Sequence, residues 1–172
     1  MLPPLLGEIY AGLETDPGIR LDIGEVIEKA QRAGAEGISI ETFMISHDAA
    51  NLARLKERLV EGGLACVLAW GHPKGLGSGT MPEALSDLYA NIDIAGNLGA
   101  SVMRICAGGR STRTLPWSAH RALLKPLLRQ AAAYADDRGV TLAVENHIDM
   151  SADEMLDLLA AVDCPSLGIV RP

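Results

Sequence analysis

Four times along the chain a glycine closes a helical pattern and opens a short apolar run: "RAGAEGISIE", "EGGLACVLAW", "NLGASVMRIC" and "DRGVTLAVEN", with Gly34, Gly63, Gly99 and Gly139 at the junctions. Successive junctions lie 29, 36 and 40 residues apart. That spacing is too uneven for a solenoid, whose repeats keep a fixed length. It suits a helix, a tight turn and a parallel strand, counted repeatedly. A chain built this way must cover a sheet with helices, which restricts it to the α/β class.

The helices follow from their apolar stripes. Ile23, Val26, Ile27 and Ala30 recur at helical spacing, as do Leu52, Leu55 and Leu59. The same spacing joins Leu85, Leu88, Ile92 and Ala95; Leu124, Leu127, Ala131 and Ala135; and Met155, Leu158, Leu159 and Val162. The junction glycines supply left-handed caps, and Ser151 with Glu154 reads as a capping box opening the last helix. Strands are expected near 36–41, 64–70, 101–106, 140–145 and 166–170, apolar on both faces and therefore paired in parallel. "LLGEIYAG" near the start is a sixth candidate, weakened by Pro3, Pro4 and Gly7.

Two architectures accommodate such units, a doubly wound open sheet and a (β/α)₈ barrel. The dinucleotide-binding form of the first wants G-x-G-x-x-G after its first strand, and the sequence has none. "GLGSGT" at 75–80 also lacks the Gly-Lys-Ser/Thr ending of a phosphate-binding loop and reads as a mobile loop. The expected fold is a parallel TIM-barrel type, incomplete, with five to six βα units in one domain over 1–172. A typical barrel takes about 250 residues.

Composition limits what this fold could serve. A net charge of −7 disfavours binding to a polyanion, so nucleic acid is not an expected partner. Cys66, Cys106 and Cys164 are odd in number and widely spaced, as buried free thiols in a reducing compartment would be. The start, "MLPPLLGEIY", fits neither a signal peptide nor a membrane span, which leaves the cytoplasm as the expected location.

In a barrel, chemistry gathers at the carboxyl ends of the strands, and four consecutive strands here end in functional groups. These are Glu41; His72; Arg104, with Arg110 beyond; and Glu145, Asn146 and His147. Each has a structural alternative. Glu41 is a salt-bridge or capping carboxylate, or it touches substrate. His72 either bonds its own loop or serves as acid or base. Arg104, inside an apolar strand, must be paired, with Glu145 or Glu41 or with an anionic ligand. "CAGGRSTRT" offers glycine N–H groups beside two arginines, a seat for an anion or simply a surface loop. His47, Asp48 and His120 lie near helix beginnings and read as caps or solvated residues. Glu145 ends an apolar strand beside two polar neighbours, which suits a metal-bound carboxylate or a base.

"GVTLAVENH", followed by a capped helix and "CPSLGIV", resembles the xylose isomerase-like barrels of the sugar phosphate isomerase/epimerase superfamily. "KAQRAGAEGISIE", "LVEGGLACVLAWGH" and "AGNLGASVMRICAGG" resemble earlier helix-to-strand passages of the same family. The resemblance implies a divalent ion, Mn²⁺, Mg²⁺, Co²⁺ or Zn²⁺, with Glu145 matching the strand-five ligand and serving in an acid/base pair. It makes His72 similar to a histidine kept near substrate, and Asn146 and His147 a continuation of the strand-five motif. Glu41 and Arg104 are the remaining substrate-binding candidates. Arg171 and Pro172 follow Val170 where a ligand aspartate is expected, so metal binding is expected to be weak or absent.

Three functions are therefore expected in descending order. The first is a metal-dependent sugar or sugar phosphate isomerase or epimerase, transferring a proton beside a carbonyl of a sugar or keto acid. The second is a truncated, non-catalytic barrel that forms a homo-oligomer or binds ligand without turnover. The third, a metal-dependent endonuclease-type hydrolase, is disfavoured by the acidic charge.

Overall fold

The computed structural model describes residues 6–8 and 22–170. Arg171, Pro172 and most of "LLGEIYAG" lie outside these. In chain order the elements are β1 (Leu6–Glu8), α1 (Ile23–Arg32), β2 (Gly37–Glu41), α2 (Ala49–Glu61), β3 (Ala65–Ala69), α3 (Ala84–Leu98), β4 (Val102–Cys106), α4 (Trp117–Asp136), β5 (Thr141–Glu145), α5 (Ala152–Val162) and β6 (Leu167–Ile169). The strands form one sheet in the order β1-β2-β3-β4-β5-β6, every pair parallel. Strand order that never reverses is barrel winding, since a doubly wound sheet has a switch point where the order turns back.

Local chemistry sets the boundaries. Asp22 and Glu25 form a capping box at α1, Asp48 accepts the backbone N–H groups of Ala50 and Asn51 to open α2, and Ser151 and Glu154 form the box at α5. All four junction glycines have positive φ, between 64° and 80°. A side chain there would be strained, so the helix-to-strand reversal depends on glycine.

The two faces of the sheet differ. Ile38, Ile40, Leu68, Met103, Ile105, Leu142 and Val144 point outward and are at most 1% exposed, packed under the helices with Leu88, Ile92, Leu124, Leu128 and Leu158. Each such side chain contributes roughly 1.5–3 kcal/mol through burial. The alternate residues point to the inner face, where register sets Glu41, Ala69, Arg104 and Ala143 in one row across four strands. In the next row toward the carboxyl ends, Cys106 stands beside Glu145.

Two expectations are corrected. Residues 75–80 are not a mobile loop: Gly77–Gly79 form a 3₁₀ turn, with Leu76 fully buried and Ser78 only 2% exposed. The Ser78 N–H donates to Ala107 O at 2.8 Å, and its hydroxyl meets that of Thr112 at 2.7 Å. Gly75 holds φ +52°, and a Cβ there would come 2.1 Å from Cys106 O, so only glycine fits. His120 is neither cap nor solvated. It is fully buried, with Nδ1 2.7 Å from Ser78 O and Nε2 2.9 Å from the Leu115 N–H. Those partners assign the neutral tautomer that donates from Nδ1 and accepts at Nε2.

Candidate functional site at the carboxyl rim

Arg104 rises from the middle of β4 into the inner face, flanked in its row by Ala69 and Ala143. These small neighbours leave lateral room for a guanidinium. Its Nη2 lies 2.9 Å from Glu41 Oε1 and its Nη1 3.3 Å from Glu145 Oε2. Both alternatives for pairing within the chain are thus realised, and one fork joins carboxylates from β2 and β5. His147 extends the chain of contacts, with Nε2 3.5 Å from the same Glu145 oxygen. The arginine side chain is 13% exposed, while Glu145 and His147 are 35% and 50% exposed, so the cluster opens to solvent on the β5 side.

The loop after β5 is held by its own polar groups. Asn146 donates from Nδ2 to Met150 O at 2.6 Å, and its Oδ1 accepts the N–H groups of Asp149 and Met150. Its amide therefore shapes the loop that presents His147. Asp149, absent from the sequence candidates, is 4% exposed and accepts the His147 N–H at 3.1 Å. Burial pushes its carboxyl above the usual carboxylate range. An alternating apolar strand pointed to Glu145, but nothing in "NHIDM" distinguishes a buried aspartate from a solvated one.

Burial, reinforced by the charges of Asp149, Glu145 and Glu41, pushes the Cys106 thiol up to about 11. It stays a thiol at neutral pH, which removes it as a nucleophile. Arg113 is committed as well: it pairs with Glu154 at 2.6 Å, donates to Asp149 O and lies over the Trp117 ring. In turn its guanidinium holds the Glu154 carboxyl down to about 2. Of the two arginines in "CAGGRSTRT", Arg113 thus clamps the loop to α5, and the Gly109 N–H donates to Thr112 Oγ1.

His72 goes elsewhere. It follows Trp70, an outward-facing residue, and stacks on that ring with centroids 5.0 Å apart. Trp70 Nε1 donates to Asp87 of α3 at 2.6 Å. His72, His47, Thr42, Asp87 and Asn91 line a cavity of about 420 Å³ between the loop after β2 and α3. The described contacts therefore unite Glu41, Arg104, Glu145 and His147, and leave His72 on the helical side.

The sequence profile of the xylose isomerase-like TIM barrel matches residues 27–170. The chain belongs to that family. No curated protein matches it in sequence. Among solved structures, this xylose isomerase-like chain is similar to a xylose isomerase domain protein from Planctomyces limnophilus, with TM-score 0.74 and 17% identity over 96% of the chain and 62% of that protein. It is similar to 3-keto-D-glucoside 4-epimerase from E. coli, with TM-score 0.73 and 14% identity over 97% of the chain and 67% of the epimerase. A third neighbour is a xylose isomerase-like TIM barrel protein from Mycobacterium smegmatis in complex with magnesium, with TM-score 0.69, 15% identity, and coverage of 96% of the chain and 63% of that protein. At such identities the likeness is one of fold, and the xylose isomerase-like chain spans about three fifths of the first neighbour.

Whether the described residues fit the divalent ion that such folds accept is a question of donors. Among them, no three His, Cys, Asp or Glu side chains converge to hold a metal. Glu145 already shares one oxygen between a guanidinium and an imidazole. Two unit charges about 4 Å apart interact by ~4 kcal/mol at an effective dielectric near 20, and a divalent ion beside Arg104 would face roughly twice that in repulsion. As arranged, these residues do not fit a metal.

Proposed function

We propose that the chain presents an isomerase- or epimerase-type proton-transfer site to a small polyhydroxylated carbonyl compound, a sugar or keto acid. The observation that carries this is the chain of contacts Glu41–Arg104–Glu145–His147, at the strand ends of a barrel whose structural neighbours include a sugar epimerase. Glu145 is the base. Its carboxylate takes the proton from carbon beside the substrate carbonyl, and the N–H groups of Arg104 face the oxygen on which charge then develops. His147, against the same carboxylate oxygen, carries a proton between Glu145 and solvent. Glu41 fixes the guanidinium from the opposite wall, and Asn146 holds the loop. His72 belongs to the neighbouring cavity in this scheme. The acidic charge of −7 supports a small-molecule partner over a nucleic acid, and the free cysteines support a reducing, cytoplasmic setting.

The test is exchange of substrate carbon-bound hydrogen with deuterated solvent, followed by proton NMR over a panel of ketoses and keto acids. Exchange by the parent, reduced about 10²–10⁴-fold in Glu145→Gln, is the expected result. Exchange unaffected by Glu145→Gln would remove the assignment. A second reading, ligand binding without turnover, draws on the fact that Arg104 already engages both carboxylates. Saturable binding by a parent that exchanges no hydrogen would select it.

A further inference from the structure

We infer that the cavity between the loop after β2 and α3 is a second binding site, separate from the carboxyl rim, for a small organic cation of the arylalkylammonium type. At about 420 Å³ it has the size of a small-molecule site. Asn91, on its wall, is the observation that points to a ligand. That side chain is 3% exposed. Its Nδ2 faces two acceptors of Asp87, the main-chain O at 2.8 Å and Oδ2 at 3.3 Å, which fixes the orientation of the amide. Oδ1 is then buried with no hydrogen-bond partner. An acceptor in that condition destabilises its surroundings until a donor reaches it, and the cavity is the side from which a donor can come.

Asp87 supplies the charge. Its Oδ2 accepts the Trp70 indole N–H at 2.6 Å as well as the Asn91 amide, whereas its Oδ1 takes no hydrogen bond among the described residues. No Lys or Arg lines the cavity. A carboxylate held at one oxygen and open at the other offers a charge-assisted bond to an N–H donor and repels an anion. His47 and His72 line the same cavity, yet no three His, Cys, Asp or Glu side chains among the described residues converge as a metal site requires. The apolar body of an arylalkylammonium finds Phe43, Ile45 and Pro73 on the remaining walls. Phe43 is 61% exposed, and a cation over an aromatic face gains further attraction. Trp70, buried, holds two walls at once: its N–H anchors Asp87 while its ring stacks with His72. The polar groups are thus positioned by the fold itself, which lowers the cost of ordering them around a ligand.

The experiment titrates 2-phenylethylammonium into the full chain at pH 8 by calorimetry, beside 2-phenylethanol and phenylacetate, which carry a neutral and an anionic group on similar skeletons. The result expected is saturable binding of the ammonium, about tenfold or more tighter than the alcohol, and none of phenylacetate. Asp87→Asn keeps an oxygen for the Trp70 N–H and should weaken ammonium binding about tenfold, while Glu145→Gln should leave it unchanged. The two tryptophans give a reading of place without any variant: in ¹⁵N–¹H spectra the Trp70 indole signal should move and that of Trp117 should stay. Absence of saturable ammonium binding, equal affinity for the alcohol, or a shift confined to Trp117 would overturn the inference. So would folded Asp87→Asn that binds as the parent does, or loss of binding in Glu145→Gln, which would move the ligand to the rim. Should Asp87→Asn not fold, the three compounds and the Trp70 signal decide. None of these readouts involves exchange of substrate hydrogen, so this inference and the proposed function fail separately.

Discussion

Ile148 sits between His147 and Asp149 with φ +61° and 82% of its surface exposed. A β-branched residue in the left-handed region costs about 1–3 kcal/mol, and here no burial offsets that cost. The hydrogen bonds of Asn146 and Asp149 hold the turn regardless of what occupies its tip. Ile148→Gly should therefore stabilise the fold by about 1 kcal/mol in chemical denaturation, without loss of whatever Glu145 does. Asp149 makes a second residue-scale case. Its carboxyl is raised by burial, so its contribution to stability is full below the unfolded value near 4 and is lost as pH rises through the higher folded value. Asp149→Asn keeps the acceptor for the His147 N–H and removes the buried charge. It should melt higher than the parent at neutral pH, with the gap closing as pH falls to about 4. Glu145 and Arg104 were legible because an ionic group at the end of or inside an apolar strand must be paired. Asp149 was not, because its burial comes from the loop folding back and leaves no periodic trace.

At the scale of elements, apolar stripes and junction glycines located, among the described residues, the five α-helices and five of the six strands, since both signals arise within ten or so residues. The sixth, β1, was ambiguous because Pro3, Pro4 and Gly7 interrupt its apolar run, and its pairing of Leu6–Glu8 with Gly37–Ser39 is what defines it. The segment 75–80 failed for a different reason. Gly75, Gly77 and Gly79 at positive φ, with Ser78 likewise at +53°, look like a flexible glycine run, but partners distant in sequence fix them. The main one is His120 of α4, which reaches Ser78 O and the Leu115 N–H at once. It ties the loop after β3 to the loop after β4, on either side of Arg104. His120→Ala should cost about 3 kcal/mol, from two lost hydrogen bonds and a cavity, and should raise proteolytic nicking within 75–80. Unchanged stability would return that segment to the status of an independent surface loop.

For the whole molecule, six parallel strands in sequential order leave two edges, β1 and β6, each with one neighbour among the described residues. Parallel edges carry unpaired N–H and C=O groups that another strand can take up. On β6 the direction of those groups follows from one bond. The Val170 N–H donates to Val144 O of β5, and N–H groups alternate sides along a strand, so that of Ile169 points away from β5. Ile169 is also 38% exposed, placing an apolar side chain beside that outward-pointing N–H. Whether a second copy pairs along this edge is read by sedimentation velocity of the 172-residue chain at rising concentration. Ile169→Pro deletes the outward donor while keeping the bond from Val170, so it should weaken association and leave the melting of the dilute chain within about 0.5 kcal/mol of the parent. Association that persists in Ile169→Pro would exclude this edge and direct attention to β1. The same geometry explains why the candidate site lies on β4 and β5 rather than at the margins. Those strands, like β2 that carries Glu41, have neighbours on both sides, and an internal strand holds a charged side chain firmly enough for one guanidinium to meet carboxylates of β2 and β5.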